Sequence, residues 1–135
     1  MSDLHNYDLC FLSIFFPEND ESYRKKSKGM RSQNISVIQH LIIDGLAAHL
    51  EEEPWIINTP LLPTFPNGYE DPFVRKSPLK GKYQGINHGY VNFSPLYSTS
   101  LFWGARKHIR AWACRSTGKP KVVIAYSLHA IHYRL

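Results

Sequence analysis

Residues 9–16, LCFLSIFF, form an almost continuous apolar run that ends at Pro17. Such a run lacks the polar alternation of a half-exposed strand and is typical of a strand buried on both faces of a parallel sheet. Residues 121–126, KVVIAY, form a second run of this kind near the other end of the chain. Together the two runs predict a mostly parallel sheet in which the first and last strands run in the same direction.

Helical periodicity separates the predicted strands. Residues 33–50 are apolar around most of a helical surface, so we expect that helix to be largely buried. Residues 96–115 predict a second helix with one apolar and one basic face. The four predicted strands are residues 9–16, 55–58, 86–92 and 121–126. This alternation predicts one open α/β layer, with an exposed sheet face or edge beside its last strand.

Two stretches are predicted to be loops. Residues 18–32 are polar and basic, and residues 58–85 contain five prolines and three glycines, which break both helices and strands. We expect no regular structure in either stretch. Loops this long are often functional in a compact domain.

Charge is distributed very unevenly along the 135 residues. The net charge is +5, from 16 Lys and Arg against 11 Asp and Glu, but every acidic residue lies at or before Asp71. The part of the chain after Asp71 therefore favours anionic partners, whether nucleic acid, phosphorylated sugars or an anionic lipid surface. The alternative interpretation is a surface bias with no specific partner.

Cellular location and redox state are predicted from what the sequence lacks. No run approaches the about 18 apolar residues of a membrane span, and the first residues do not resemble a signal peptide. We expect a cytoplasmic chain. Cys10 and Cys114 are too few for a disulfide scaffold or a metal set, so both are expected to be reduced packing residues.

Candidate ligand-binding residues follow the predicted strands, because α/β sheets bind ligands beyond the carboxyl ends of their strands. Gly29, Arg31 and Asn34 lie near the predicted start of a helix, where free amides and cations can hold a phosphate or a sugar. Ser127 and His129 follow the last strand, and a histidine there can donate to a sugar hydroxyl or carry a proton. The alternative is a simple turn at Gly29 and an exposed loop histidine.

Several chemistries have no matching motif in the sequence. There is no G-x-G-x-x-G or Walker motif and no G-x-S-x-G nucleophile elbow. The spacing of His129 and His132 allows metal binding, but no carboxylate or cysteine stands near in sequence to complete a site, so we predict no metal site and no resident cofactor. The second helix carries Arg106, Lys107, Arg110 and Arg115, which could follow phosphates. No nucleic-acid-binding motif accompanies them, and a solvated helix face is the alternative.

Five segments together resemble the amino-terminal half of a bacterial glycosyltransferase of the GT-B fold. They are SKGMRSQN, IIDGL, WIINTPLLPTFPNGYEDPF, GYVNFSP and KVVIAYSLHA, in this order along the chain. Their order and spacing are similar to those of the polysaccharide-building members of family 4, the retaining sugar transferases. The resemblance implies a Rossmann-like domain that binds the acceptor, and a nucleotide sugar held by a second, donor-binding domain that is expected to be absent from residues 1–135.

The resemblance also implies which residues face the acceptor. His129 is the predicted catalytic residue. The predicted substrate-binding residues are Gly29, Arg31, Asn34, Asn58, Asn92 and Ser127.

The sequence thus predicts an acceptor-binding domain of a hexosyltransferase, inactive without its donor domain. Its expected partners are a glycan or lipid-linked acceptor, the missing donor domain and an anionic membrane surface, which would place it at the inner face of the membrane. The alternative is a cationic module that binds nucleic acid or a protein partner without enzymatic activity. Nucleic acid is the less favoured partner, because no recognition motif is present.

Overall fold

The computed structural model describes residues 4–17, 20–28, 33–60, 62–93 and 95–126, and for residues 33–35 it describes the backbone. Within these residues, a 3₁₀ turn at Leu4–Asn6 is followed by three helices and seven strands. The helices are α1 Glu21–Lys26, α2 Gln33–Ala47 and α3 Tyr97–Ala113. The strands are β1 Asp8–Ser13, β2 Trp55–Asn58, β3 Phe73–Val74, β4 Ser77–Pro78, β5 Gln84–Asn87, β6 Tyr90–Val91 and β7 Lys121–Ala125.

A mostly parallel sheet of five strands organises the domain. Its order is β4-β5-β2-β1-β7, and the four strands β5, β2, β1 and β7 run parallel to one another. Only β4, at one edge, pairs antiparallel with β5. A second sheet contains the antiparallel pair β3 and β6. The fold is therefore mixed α/β, as the alternating sequence pattern predicts.

The two long helices cover opposite faces of the parallel sheet. Successive side chains of a strand point to opposite faces. Leu9 and Phe11 of β1 pack in one cluster with Ile43 of α2, whereas Cys10 and Leu12 pack in another with Trp112 of α3. Both faces of β1 are therefore buried, which explains why its sequence shows no polar alternation.

The parallel pairing of the first and last predicted strands is confirmed. β7 runs parallel to β1, in register from Asp8 opposite Lys121 to Leu12 opposite Ala125. β2 has the predicted bounds, and α2 and α3 end within three residues of the predicted ends. β7 lies at the sheet edge and Val123 is exposed, as expected for the last strand.

Two predicted strands differ from those in the structure. β1 ends at Ser13, three residues before the predicted end, because the Asn58 side chain bonds both backbone groups of Phe15. The predicted strand 86–92 is divided into β5 and β6, which belong to different sheets. Gly89 lies at the division, and a Cβ there would come within 2.6 Å of the Val74 carbonyl oxygen, so only glycine lets the chain cross at this point.

The predicted absence of regular structure in residues 18–32 and 58–85 is wrong in part. The first stretch contains α1, because the Asp20 side chain caps the helix by accepting a hydrogen bond from the Ser22 backbone N–H. The second contains the short strands β3 and β4. Pro78 lies on β4, an edge strand where its missing N–H costs little.

The expected burial of α2 is also only partly correct. Ile43 is fully buried, but Val37, Ile38, Leu41 and Ile42 are exposed on the outer face. Cys10 is buried as predicted, whereas Cys114 is exposed at the end of α3 and is not a packing residue. Within the described residues, no helix is both long and apolar enough to cross a membrane.

Candidate functional site

A row of polar side chains crosses three neighbouring strands at their carboxyl ends. Ser13 of β1 is in register with Asn58 of β2, and Asn58 is in register with Asn87 of β5. All three are buried. The Ser13 hydroxyl donates to Asn58 Oδ1 at 2.9 Å, and Asn58 Nδ2 donates to Asn87 Oδ1 at 2.8 Å. Buried polar groups persist only when they are bonded, so this row fixes the edge of the sheet where α/β ligands bind.

Asn58 also fixes the course of the chain after β1. The Phe15 N–H donates to Asn58 Oδ1 at 2.9 Å, and Asn58 Nδ2 donates to the Phe15 carbonyl oxygen at 3.0 Å. The Ile14 N–H donates to Gln39 Oε1 at 2.8 Å, which links the same segment to α2. The residues that follow β1 are therefore held in one position relative to β2 and α2.

A buried histidine follows β5 at the same edge. His88 Nε2 lies 2.6 Å from the Thr59 hydroxyl, and both residues are buried. Gly104 of α3 lies directly against this histidine: a Cβ at Gly104 would be 2.8 Å from both His88 Nδ1 and the Gly89 carbonyl oxygen. The close approach of α3 fixes the His88 ring within the protein interior, so its role is structural support of this edge.

A cleft opens beside the segment that follows β1. Its volume is about 190 Å³, and it lies between that segment, α2 and the turn joining β4 to β5. Most of its wall is apolar or aromatic. The lining residues are Phe15, Phe16, Pro17, Asp20, His40, Leu79, Lys80, Lys82 and Tyr83.

His40 is the polar group best placed to act on a ligand in this cleft. Its ring packs edge-on against Phe15, with centroids 4.8 Å apart, and lies 5.3 Å from the Tyr83 ring. Within the described part of the chain, neither ring nitrogen is hydrogen-bonded. Burial, reinforced by the nearby Lys82, lowers the pKa of His40, while Asp44 opposes this effect. A neutral imidazole at pH 7 can donate from one nitrogen and accept at the other.

Lysines and carboxylates surround the cleft. Lys82 Nζ lies 2.8 Å from Asp44 Oδ2, and the Tyr83 hydroxyl donates to Asp44 Oδ1 at 3.0 Å. The hydrogen bond from Lys82 lowers the pKa of Asp44. Lys80 Nζ lies 3.5 Å from Asp20 Oδ1, a long contact that leaves this ammonium group free to exchange partners. The cleft thus combines aromatic walls, an unbonded imidazole and two cations.

The predicted substrate-binding residues that are described do not form one group. Asn58 is fully buried, and its amide is already used by Ser13, Phe15 and Asn87. Asn92 is also buried and donates to the Pro63 carbonyl oxygen, so its bonding partners are separate from those of Asn58. Asn34 lies in the first turn of α2. Gly29, Arg31, Ser127 and His129 lie outside the described residues.

The cleft residues were missed by sequence reasoning. His40 is one of several polar residues in a mainly apolar helix, and nothing in its spacing distinguishes it from a surface position. Lys80, Lys82 and Tyr83 belong to a stretch predicted as a structureless loop. The one available signal was Gly81 between two lysines, which is typical of a tight turn and could have indicated a hairpin next to the sheet edge.

No family model, no curated protein and no solved structure matches the chain. Among the described residues, no group of three or more His, Cys, Asp or Glu side chains is arranged to hold a metal ion.

Proposed function

We propose that this chain is the acceptor-binding domain of a glycosyltransferase and that a sugar or phosphosugar unit of the acceptor binds in the cleft beside β1. The observation that carries the proposal is the unbonded, half-buried His40 between the aromatic rings of Phe15 and Tyr83, next to two lysines. The donor-binding domain would bring the nucleotide sugar to the same edge of the sheet, so residues 1–135 alone would bind but not transfer.

The order of the parallel strands supports a Rossmann-like interpretation of the fold. Counted along the chain, the parallel strands are arranged third, second, first and fourth, as β5-β2-β1-β7. This is the order of one side of the doubly wound fold, with its reversal point beside the first strand. Ligands of such folds bind outside the carboxyl ends of the strands at this point. The segment that follows β1 begins at this carboxyl edge and forms one wall of the cleft. The opposite wall, the β4–β5 turn, precedes β5, so the cleft extends from this edge along α2.

The cleft chemistry fits a carbohydrate with a phosphate group. Sugar rings present C–H faces that pack on aromatic side chains such as Tyr83 and Phe15, and their hydroxyls need neutral donors and acceptors such as His40. Lys80 can exchange Asp20 for a phosphate oxygen. The volume of about 190 Å³ is below the usual range of drug-sized sites, so one sugar unit is the appropriate size of ligand.

Binding of small probes to the 135-residue chain tests this proposal. We expect glucose 1-phosphate to bind more tightly than glucose or inorganic phosphate in a calorimetric or NMR titration, because only the first engages both the rings and the lysines. His40→Ala should weaken binding about fivefold, as expected for one lost hydrogen bond. Lys80→Ala should weaken binding of glucose 1-phosphate and leave that of glucose unchanged.

His49→Ala is the matched control. His49 lies two residues after the end of α2, is exposed and is outside the cleft, so its substitution should not change binding. Equal losses from His40→Ala and His49→Ala, or no binding of glucose 1-phosphate at millimolar concentration, would contradict the proposal. The catalytic role predicted for His129 requires the complete enzyme, in which His129→Ala should reduce turnover while folding is retained.

A further inference from the structure

The outer face of α3 combines exposed apolar side chains with cations. Leu96, at the amino end of the helix, is 51% exposed, and Trp103, two turns later, is 56% exposed. Lys107 and Arg110 follow on the same side of the helix, one and two turns beyond Trp103, and both are exposed. We call these four residues the α3 outer face. The whole helix contains no Asp or Glu.

The cations of the α3 outer face have no acidic partner. In the part of the chain that the structure describes, neither Lys107 nor Arg110 lies within 4.0 Å of a carboxylate. Several other lysines are paired with carboxylates, for example Lys82 with Asp44 and Lys121 with Asp8. Lys76, in the turn between β3 and β4, is also exposed. Burial lowers the pKa of His108, and the nearby cations of Lys76 and Lys107 lower it further. The cationic surface therefore extends from α3 to this turn.

Trp103 is held at the surface by its neighbours. The Phe102 ring lies 5.4 Å from the Trp103 ring in an edge-on arrangement, and the Arg106 guanidinium group lies 5.6 Å from the Trp103 ring. An exposed Trp packed by an Arg has one side available for contact with another surface. Tryptophan prefers the boundary between lipid headgroups and acyl chains, where an apolar ring and a polar N–H are both accommodated.

We propose that the α3 outer face docks the chain onto an anionic lipid bilayer, with Leu96 and Trp103 entering the headgroup region and Lys107 and Arg110 contacting lipid phosphates. Helices that lie in the membrane interface have this composition, with Trp and Leu beside Lys and Arg. Charge complementarity identifies the partner as anionic, since no carboxylate of the described residues neutralises these two cations. The apolar residues then favour lipid over other polyanions.

Nucleic acid fits the same surface less well. Single-stranded nucleic acid binds to grooves in which aromatic rings stack with successive bases. Here Arg106 and Phe102 already pack against Trp103. The exposed aliphatic side chain of Leu96 can neither stack on a base as an aromatic ring does nor form a hydrogen bond with a phosphate. The α3 outer face is also the side of a single helix and not a groove.

Vesicle cosedimentation with the 135-residue chain tests the proposal. We expect binding to vesicles of phosphatidylcholine mixed with phosphatidylglycerol, weaker binding as salt increases, and little binding to phosphatidylcholine alone. The double substitution of Lys107→Ala and Arg110→Ala should weaken binding about 25-fold, or about fivefold per cation. Trp103→Ala should weaken binding at both low and high salt, because its contribution is apolar.

A matched control removes two exposed cations from α1. Arg24→Ala with Lys25→Ala lowers the net charge equally and should leave vesicle binding within twofold of wild type if the α3 outer face is the docking surface. Equal losses of vesicle binding in the two double variants would mean that binding depends only on net charge, which would overturn the proposal. Absence of binding to anionic vesicles would also overturn it.

The remaining outcomes separate this proposal from others. Binding to single-stranded poly(U) that is lost in the α3 double variant, without vesicle binding, would assign the surface to nucleic acid and contradict the proposal. The vesicles contain no sugar, so the result does not depend on the function proposed for the cleft. His40→Ala should accordingly leave vesicle binding unchanged.

Discussion

Asn58 holds both backbone hydrogen-bonding groups of Phe15, accepting from its N–H at 2.9 Å and donating to its carbonyl oxygen at 3.0 Å. These two bonds replace the ladder bonds that Phe15 would make if β1 continued. They join the end of β2 to the first wall of the cleft. The ligand-facing segment is therefore fixed by a side chain that does not itself line the cleft.

Asn58→Ala should destabilise the protein by about 3–5 kcal/mol, because it leaves the Ser13 hydroxyl, the Asn87 amide oxygen and both Phe15 backbone groups buried without this partner. Urea unfolding measures the change. Asn6→Ala, at an exposed position, is the control and should change the unfolding free energy by less than about 0.5 kcal/mol. A similar small change at Asn58 would mean that water replaces the amide and that the row of polar side chains is not rigid.

Gly104→Ala should destabilise the protein by about 1–2 kcal/mol in spite of the better helix propensity of alanine. The new Cβ would lie 2.8 Å from His88 Nδ1 and from the Gly89 carbonyl oxygen, and His88 is too deeply buried to move aside. Gly45→Ala is the matched substitution in α2. No atom lies within 4 Å of a Cβ at Gly45, so that variant should gain about 0.5–1 kcal/mol. Opposite signs in thermal unfolding are the expected result.

The sheet could be predicted from the sequence because its first and last parallel strands are short apolar runs, although only β1 of these two is buried on both faces. Residues 9–16 and 121–126 are apolar without alternation, and this pattern depends only on local composition. The end of β1 could not be predicted, since it depends on a distant partner. β1 ends early because of Asn58, which is 43 residues away from Phe15 along the chain.

The candidate site was harder to predict than the sheet because its residues have no shared sequence pattern. His40 and Tyr83 are brought together only when the β4–β5 turn packs against α2. Strand-end reasoning predicted a site at the carboxyl edge of the sheet and selected Asn58, whose polar atoms are used inside the protein. A residue's position at a strand end does not reveal whether its side chain points to the cleft or to a neighbouring strand.

The two faces of α2 provide a direct test of the packing. Ile43 is fully buried between α2 and the sheet, whereas Leu41 is 66% exposed, although both belong to the apolar stripe of the sequence. Ile43→Ala should therefore cost about 2–5 kcal/mol, and Leu41→Ala less than about 1 kcal/mol. Chemical denaturation of the two variants measures both values. Comparable losses would indicate that the outer face of α2 is covered, for example by self-association at the protein concentration used.

The two cysteines should differ in reactivity. Burial, with a smaller contribution from Asp8, raises the pKa of the Cys10 thiol to about 12, so this thiol stays protonated at pH 8. Cys114 is exposed. Because the thiolate is the reactive form, a thiol reagent should modify Cys114 rapidly and Cys10 only after unfolding. Cys114→Ser should remove the fast phase, and a fast phase that persists in this variant would place Cys10 at the surface.

His40 should titrate below the pKa of 6.5 that it has in the unfolded chain, because burial and the cation of Lys82 disfavour the imidazolium form. The unfolded chain then binds the proton more readily, so His40 lowers stability as pH falls through 6.5 towards its folded pKa. Lys82→Met removes the cation but keeps Asp44, and the pKa of His40 should rise. NMR of the imidazole protons measures the pKa of His40 directly.

Lys107→Ala is the control. Lys107 contributes to the lowered pKa of His108, so its substitution should leave the pKa of His40 unchanged. Two results would contradict this placement of His40. One is an imidazole pKa at or above 6.5 in the wild-type chain, and the other is a pKa that does not change in Lys82→Met. Either would show that the ring is solvated and does not line the cleft.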